Sequence, residues 1–257
     1  MAARDPMPIG ALCRPGEASA MDIKSQHGVV FLIDVDNTLL DNDRVHDDLA
    51  NRLEFEFGVE GRHRYWGIFE ALRSELGYAD YLGALQRFRV HDNGDPRLLS
   101  MSSYLLDYPF AQRLYPGSLA AIAHLARFGL PVILSDGDVV LQPRKIERSG
   151  LWKAVDGRVL IYIHKEKVLD DVERRYPARH YVMIDDKVRV LTAMKQIRGD
   201  RLTTVLPRQG HYALDPKNIA DYPPPDVTIE RIGDLVDYDL PKLRGAAQGP
   251  RADKEAP

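Results

Sequence analysis

The stretch His27-Gly-Val-Val-Phe-Leu-Ile-Asp-Val-Asp-Asn-Thr-Leu-Leu40 decides how this chain is read. Its Val29–Ile33 run is short, β-rich and apolar throughout. That pattern fits a strand buried on both faces of a parallel sheet, since a half-exposed strand would alternate. Asp34 and Asp36 follow directly. Residues two apart in an extended chain point the same way. Both carboxylates can therefore face one site at the C-terminal end of the strand, where open α/β sheets bind ligands. Two carboxylates this close repel unless a divalent cation sits between them or one keeps a proton. Taken alone, Asp-x-Asp-x-Thr reads more simply as a solvated turn, because Asp, Asn and Thr are common turn and N-cap residues. The weight has to come from other strand ends.

Working outward, further apolar runs occur at 131–135, 159–163, 181–185 and 202–206, with a short edge strand expected at 227–229. Helical stripes separate them. Leu119, Ile122, Leu125 and Phe128 precede Gly129; Val168, Leu169, Val172 and Tyr176 precede Pro177; Val188, Leu191, Met194 and Ile197 precede Gly199. Strands alternating with helices of this length imply an α/β fold, a doubly wound, mostly parallel Rossmann-like sheet. Residues 44–112 break the alternation and carry no convincing strand. Four helices are predicted there, at about 45–57, 64–76, 79–89 and 97–107, with breaks at Gly58, Gly61, Gly77 and Asn93–Pro96. The expected organisation is an α/β core of 27–43 and 113–240, an inserted all-helical cap of 44–112, and disordered tails at 1–26 and 241–257. Met1 and Met21 are both possible starts.

Three strand ends carry chemistry. The second apolar run ends in Ser135-Asp136-Gly137-Asp138, and the fourth in Asp185-Asp186-Lys187; Lys165 follows the third, at the start of an expected 165–176 helix. A hydroxyl and a loosened backbone at a strand-to-helix junction suit an oxyanion. Composition narrows the classes. With 44% hydrophobic and 28% charged residues the chain is globular, and its single cysteine, Cys13, excludes a disulfide scaffold. A net charge of −3 gives no electrostatic case for nucleic acid or an anionic membrane. No apolar run spans a bilayer and the N-terminus lacks a secretory h-region, so a cytoplasmic location is expected.

Together, FLIDVDNTLL, the Ser of VILSDGD, Lys165 in HKEKVL, and VMIDD resemble, in order, the four motifs of the haloacid dehalogenase-like (HAD) hydrolase superfamily. The likeness spans about residues 28–235, and a helical cap between the first two motifs matches it. The resemblance implies a Mg²⁺-dependent phosphatase of a small phosphorylated metabolite. Asp34 would be the nucleophile forming an aspartyl-phosphate, Asp36 the general acid and base, and Ser135 and Lys165 the holders of the phosphoryl oxygens. Asp34, the Asp36 carbonyl and Asp186 would bind the metal, with Asp185 a second or water-mediated ligand. Lys165 is preferred to Lys167 from its spacing to the helix stripe. Asp36 argues against dehalogenation, since a halide leaves without a proton and an alkoxide does not. A phosphomutase and a non-catalytic phosphoryl-binding module are the alternatives.

Other signals are weaker. Arg62-His63-Arg64 reads as a solvated helix start. Tyr65, Trp66 and Tyr81 read as the cap's own core, and His164 as structural. Arg208–His211 reads as a surface loop, and Asp136 and Asp138 as helix caps for at least one of them. Linkers at 41–44 and 112–117 are expected to hinge the cap.

Overall fold

The structure is a computed structural model that describes residues 27–89 and 94–239. The expected tails, Cys13, both candidate start methionines and Asn93 lie outside the described residues. Six strands form one sheet: β1 (His27–Ile33), β2 (Leu130–Asp136), β3 (Val159–Tyr162), β4 (Ala178–Ile184), β5 (Leu202–Pro207) and β6 (Val227–Ile229). Their order is β3-β2-β1-β4-β5-β6, and every pairing is parallel. The chain is thus the doubly wound parallel α/β fold that the apolar runs imply.

The two faces of β1 explain why its run is apolar without alternation. Val29, Phe31 and Ile33 join a core that includes Ala121, Ile122 and Leu125 of α4 (Ser118–Leu125) and Ile146 of α5 (Leu141–Arg148). Val30 and Leu32 join a second core with Leu169 and Val172 of α7 (Leu169–Arg175) and Leu191 and Met194 of α8 (Val188–Arg198). A short α6 (Leu151–Ala154) follows α5. Register then sets the site. Ile33 pairs with both Ile133 and Ile184, so the ends of β1 and β4 come level and β2 runs three residues further, to Asp136. β1 and β4 are neighbours where the winding reverses direction, the place at which a crevice opens in such sheets.

Between β1 and β2 run α1 (Asn42–Leu76), α2 (Tyr81–Phe88), α3 (Pro96–Asp107) and a 3₁₀ turn, Phe110–Arg113. The two helices expected at 45–57 and 64–76 meet at Gly58, where the expected break is present: its φ of 71° and ψ of 179° are non-helical, only glycine adopts them readily, and they kink the run Asn42–Leu76. Gly61 does not break it. A Cβ there would lie 2.3 Å from Phe57 Cβ, so this glycine serves close packing beyond the kink. Asp80 and Asp95 cap α2 and α3, accepting N–H bonds from Gly83 and Arg97. Tyr65, Phe69, Leu72, Leu85, Phe88 and Met101 are buried among these helices. The two linkers run side by side: Leu40 bridges Leu114, Asp41 N–H donates to Arg113 O at 2.7 Å, and Tyr115 N–H donates to Leu39 O at 3.0 Å. No helix among the described residues is long and apolar enough to cross a membrane.

A second correction concerns Lys165. It lies on a 3₁₀ turn, Lys165–Lys167, entered through His164 at φ 60°, and the α-helix starts only at Leu169. The tight turn aims Lys165 inward and leaves Lys167 exposed.

Candidate active site

The level strand ends bring the predicted residues to one place. Asp34 N–H donates to Ile184 O at 3.0 Å, and Asp185 N–H to Val205 O at 3.2 Å, so both continue the ladder. Asp34, Asp185 and Asp186 are buried and offer carboxylate oxygens that all lie within 4.8 Å of one another. Lys165 Nζ ion-pairs with Asp34 Oδ1, lies 2.7 Å from Asp185 Oδ2, and donates to Leu134 O at 3.3 Å. Asp136 is no helix cap: its Oδ1 accepts the Lys165 N–H at 2.7 Å and so holds the turn that presents the lysine. Asp138 holds the turn that enters α5, accepting from Val140 and Leu141 N–H at 2.8 and 2.6 Å.

Charge balance is incomplete. Neither oxygen of Asp186 has a hydrogen-bond partner, and nor does Asp34 Oδ2. Burial pushes the Asp186 carboxyl well above the usual carboxylate range, opposed by Lys187 and reinforced by Asp185 and Asp34. Burial raises Asp185 too, against the pull of Lys165. For Lys165 burial works against the charge, but Asp185 and Asp34 outweigh it and the ammonium is held more firmly than usual. Buried carboxylate oxygens without donors need a cation. Three carboxylates and no nitrogen or sulfur ligand form a hard-oxygen set, which fits Mg²⁺. The Asp36 carboxylate is not among the three.

Asp36 points elsewhere. Its Oδ1 lies 2.6 Å from Lys145 Nζ, and its Oδ2 accepts from Gln142 Nε2 at 3.4 Å. The same Gln142 amide donates to Ser135 Oγ at 2.9 Å. Lys145 Nζ also donates to Asn42 Oδ1 at 2.9 Å, at the first residue of α1. Ser135 is buried, and its hydroxyl is held by Gln142.

Sequence reasoning passed over Gln142 and Lys145. A signal existed: Leu141, Gln142, Lys145 and Ile146 occupy one buried face of α5, and two of those four are polar. Thr38 supports the loop in a specific way, since its Oγ1 accepts the Asp186 N–H at 3.0 Å and its carbonyl accepts from Gln209 Nε2 at 2.7 Å. The 208–211 segment is therefore more than a surface loop. His211 Nδ1 lies 2.6 Å from Asp43 Oδ1, and Asn37, at φ 61°, donates to that same Asp43 oxygen while accepting from the N–H groups of Asn42 and Asp43. Arg62 pairs with Glu54 and Arg64 covers the Phe88 ring, so neither faces the site. A cavity of about 660 Å³ opens over Asp36, between the sheet end and α1, with His46, Arg73, Tyr78, His164 and Tyr212 in its wall. Tyr65 and Tyr81 are buried as expected, while Trp66 stacks on His46 at 3.8 Å.

The haloacid dehalogenase-like hydrolase family matches residues 29–198. A haloacid dehalogenase-like hydrolase from Burkholderia xenovorans LB400 shares 65% identity over 84% of this chain and 99% of its own, with a TM-score of 0.80. The chain belongs to the haloacid dehalogenase-like hydrolases. At lower identity, the L-2-haloacid dehalogenase of Xanthobacter autotrophicus (17%, TM-score 0.55, 83% of this chain and 98% of its own) shares the fold. So does the HAD-hydrolase YfnB of Bacillus subtilis bound to magnesium (18%, TM-score 0.56, 83% and 98%). No curated protein matches.

Proposed function

We propose that this hydrolase is a Mg²⁺-dependent phosphatase of a small phosphorylated molecule, with Asp34 as nucleophile and Asp36 as acid and base. The observation that carries the reading is Asp36: a carboxylate two residues beyond the nucleophile, 25% exposed, and in the wall of the cavity. Carbon–halogen cleavage has no use for a proton donor at the leaving group, whereas an ester oxygen leaves poorly without one.

In the first step Asp34 attacks phosphorus. The new bond joins its carboxylate oxygen to phosphorus, the bond to the leaving oxygen breaks, and Asp36 gives that oxygen a proton. In the second step Asp36 takes a proton from water as the water oxygen attacks phosphorus. This regenerates the Asp34 carboxylate and releases inorganic phosphate. Lys165 and Ser135 neutralise charge on the phosphoryl oxygens in both steps. Asp34, Asp185 and Asp186, with the Asp36 carbonyl, would hold Mg²⁺, which supplies charge neutralisation between the carboxylates and a phosphate dianion. The mixed charges of the cavity suit a small polar substrate. Neither nucleic acid nor membrane is called for by a net charge of −3.

The test is turnover of a panel of phosphomonoesters with and without Mg²⁺, beside halide release from 2-chloropropionate. Phosphate release that Asp34→Asn abolishes is expected. Halide release with no phosphate release would overturn the reading, and so would the absence of both.

A further inference from the structure

Lys145 is a buried charge that the steps above do not use. Its side chain is 2% exposed, and it lines a small apolar cavity together with Leu49, Tyr81, Leu105 and Tyr108. A buried ion pair is a poor device for stability, because an apolar residue of similar volume does as well or better. Here Leu or Met on α5 would fill the same apolar surroundings. What the ammonium supplies is geometry. It reaches Asp36 Oδ1 at 2.6 Å and Asn42 Oδ1 at 2.9 Å, while Gln142, three residues earlier on the same face, takes Asp36 Oδ2 and Ser135 Oγ. One helix thus grips both carboxylate oxygens of Asp36 and ties them to the phosphoryl-binding serine and to the start of α1.

We propose that Lys145 is a positioning residue: with Gln142 it fixes the Asp36 carboxylate at the cavity wall, apart from the Asp34 cluster. The proposal rests on the phosphatase reading for its kinetic consequence but not for its structural one. A carboxylate on a two-bond side chain, 25% exposed, would otherwise sample several rotamers, and proton transfer is sensitive to displacements of about 1 Å. Lys145 also holds Asn42, but its contact at the cavity wall is the one to Asp36, so its loss should be felt most where the leaving oxygen needs a proton and least where it does not.

The experiment compares Lys145→Met with the wild type on two esters of matched size, phenyl phosphate and p-nitrophenyl phosphate, with Mg²⁺. The nitrophenolate leaves readily unprotonated. General acid catalysis is worth roughly 10²–10⁴-fold, so partial loss of its positioning should lower kcat on phenyl phosphate about 30-fold, with KM within about twofold, and the loss on the nitrophenyl ester should be about tenfold smaller. Lys145→Arg should recover most of the difference. Equal losses on both esters would overturn the proposal, as would no loss. Lys145→Gln carries the same ratio if Lys145→Met does not fold. A crystal structure of the variant supplies the second readout. If the wild type hydrolyses neither these esters nor any phosphomonoester of the panel, the phosphatase reading fails. The positioning claim is then decided by whether the Asp36 carboxylate leaves its present place, and a carboxylate that stays on Gln142 overturns it.

Discussion

Replacing Asp186 by Asn should raise the melting temperature of the metal-free protein and remove its response to Mg²⁺, two effects of opposite sign from one substitution. Asp186 is fully buried, and both of its oxygens lack a hydrogen-bond partner beside the carboxylates of Asp34 and Asp185. An unsatisfied buried polar group costs about 1–3 kcal/mol, more when charged. Asparagine keeps the shape, removes the charge and brings donors to oxygens that have none. In a chain of this size 1 kcal/mol moves the midpoint by about 2–4 °C, so Asp186→Asn should melt roughly 2–10 °C above the wild type in EDTA at pH 8. Mg²⁺ at about a hundred times its Kd adds about 2.7 kcal/mol to a protein that binds it. The wild type should therefore gain about 5–10 °C on adding Mg²⁺, and the variant less than about 2 °C. Differential scanning calorimetry across a MgCl₂ titration measures both. A variant that melts below the wild type in EDTA, or that keeps the Mg²⁺ shift, would refute the argument that this carboxylate is buried for a cation.

The same burial sets a pH dependence. Asp185 and Asp186 hold protons in the folded state above the usual carboxylate range, whereas the unfolded chain has released them. Metal-free stability should fall as pH rises from the ordinary carboxylate pKa through the raised folded values, and Mg²⁺ stabilisation should grow over the same interval; melts at pH 5 and pH 8 check the sign. Lys165→Met should cut phosphate release by at least about 10²-fold, the scale for losing one electrostatic stabiliser, with the protein still folded by circular dichroism. Gly210→Ala meets Asn37 Cβ at 2.4 Å and a φ of +73°, so it should destabilise by about 1–3 kcal/mol in chemical denaturation. Asp138→Ala removes the acceptor for two N–H groups at the start of α5 and should cost about 1 kcal/mol.

Strands were legible because each is a contiguous apolar run, and a parallel sheet buries both faces of such runs. The candidate site residues were legible for the same reason, since each lies at the end of such a run or within three positions beyond it. The kink at Gly58 was legible as a break, but the role of Gly61 was not. Gly58 and Gly61 look alike in sequence, yet one turns the axis through a left-handed residue and the other accommodates Phe57, a difference that only packing decides. The partners of Asp36 were equally hidden. Lys145 lies far along the chain from Asp36, and a lysine on a helix is ordinarily solvated; only the register of β2 against β1 carries α5 across it. His211 and Asp43 meet through the fold as well, with no spacing that would announce them.

The paired linkers at Leu40 and Leu114 carry a consequence for how such an enzyme can diversify. The chain leaves and re-enters the sheet through adjoining residues, so the two ends of the helical run are already closed before its length is specified. Lengthening, shortening or exchanging that run leaves the β1–β2 register untouched, and the entropic cost of a longer excursion grows only with the logarithm of its length. The wall that selects a substrate can therefore be rewritten while the chemistry beneath it stays in place.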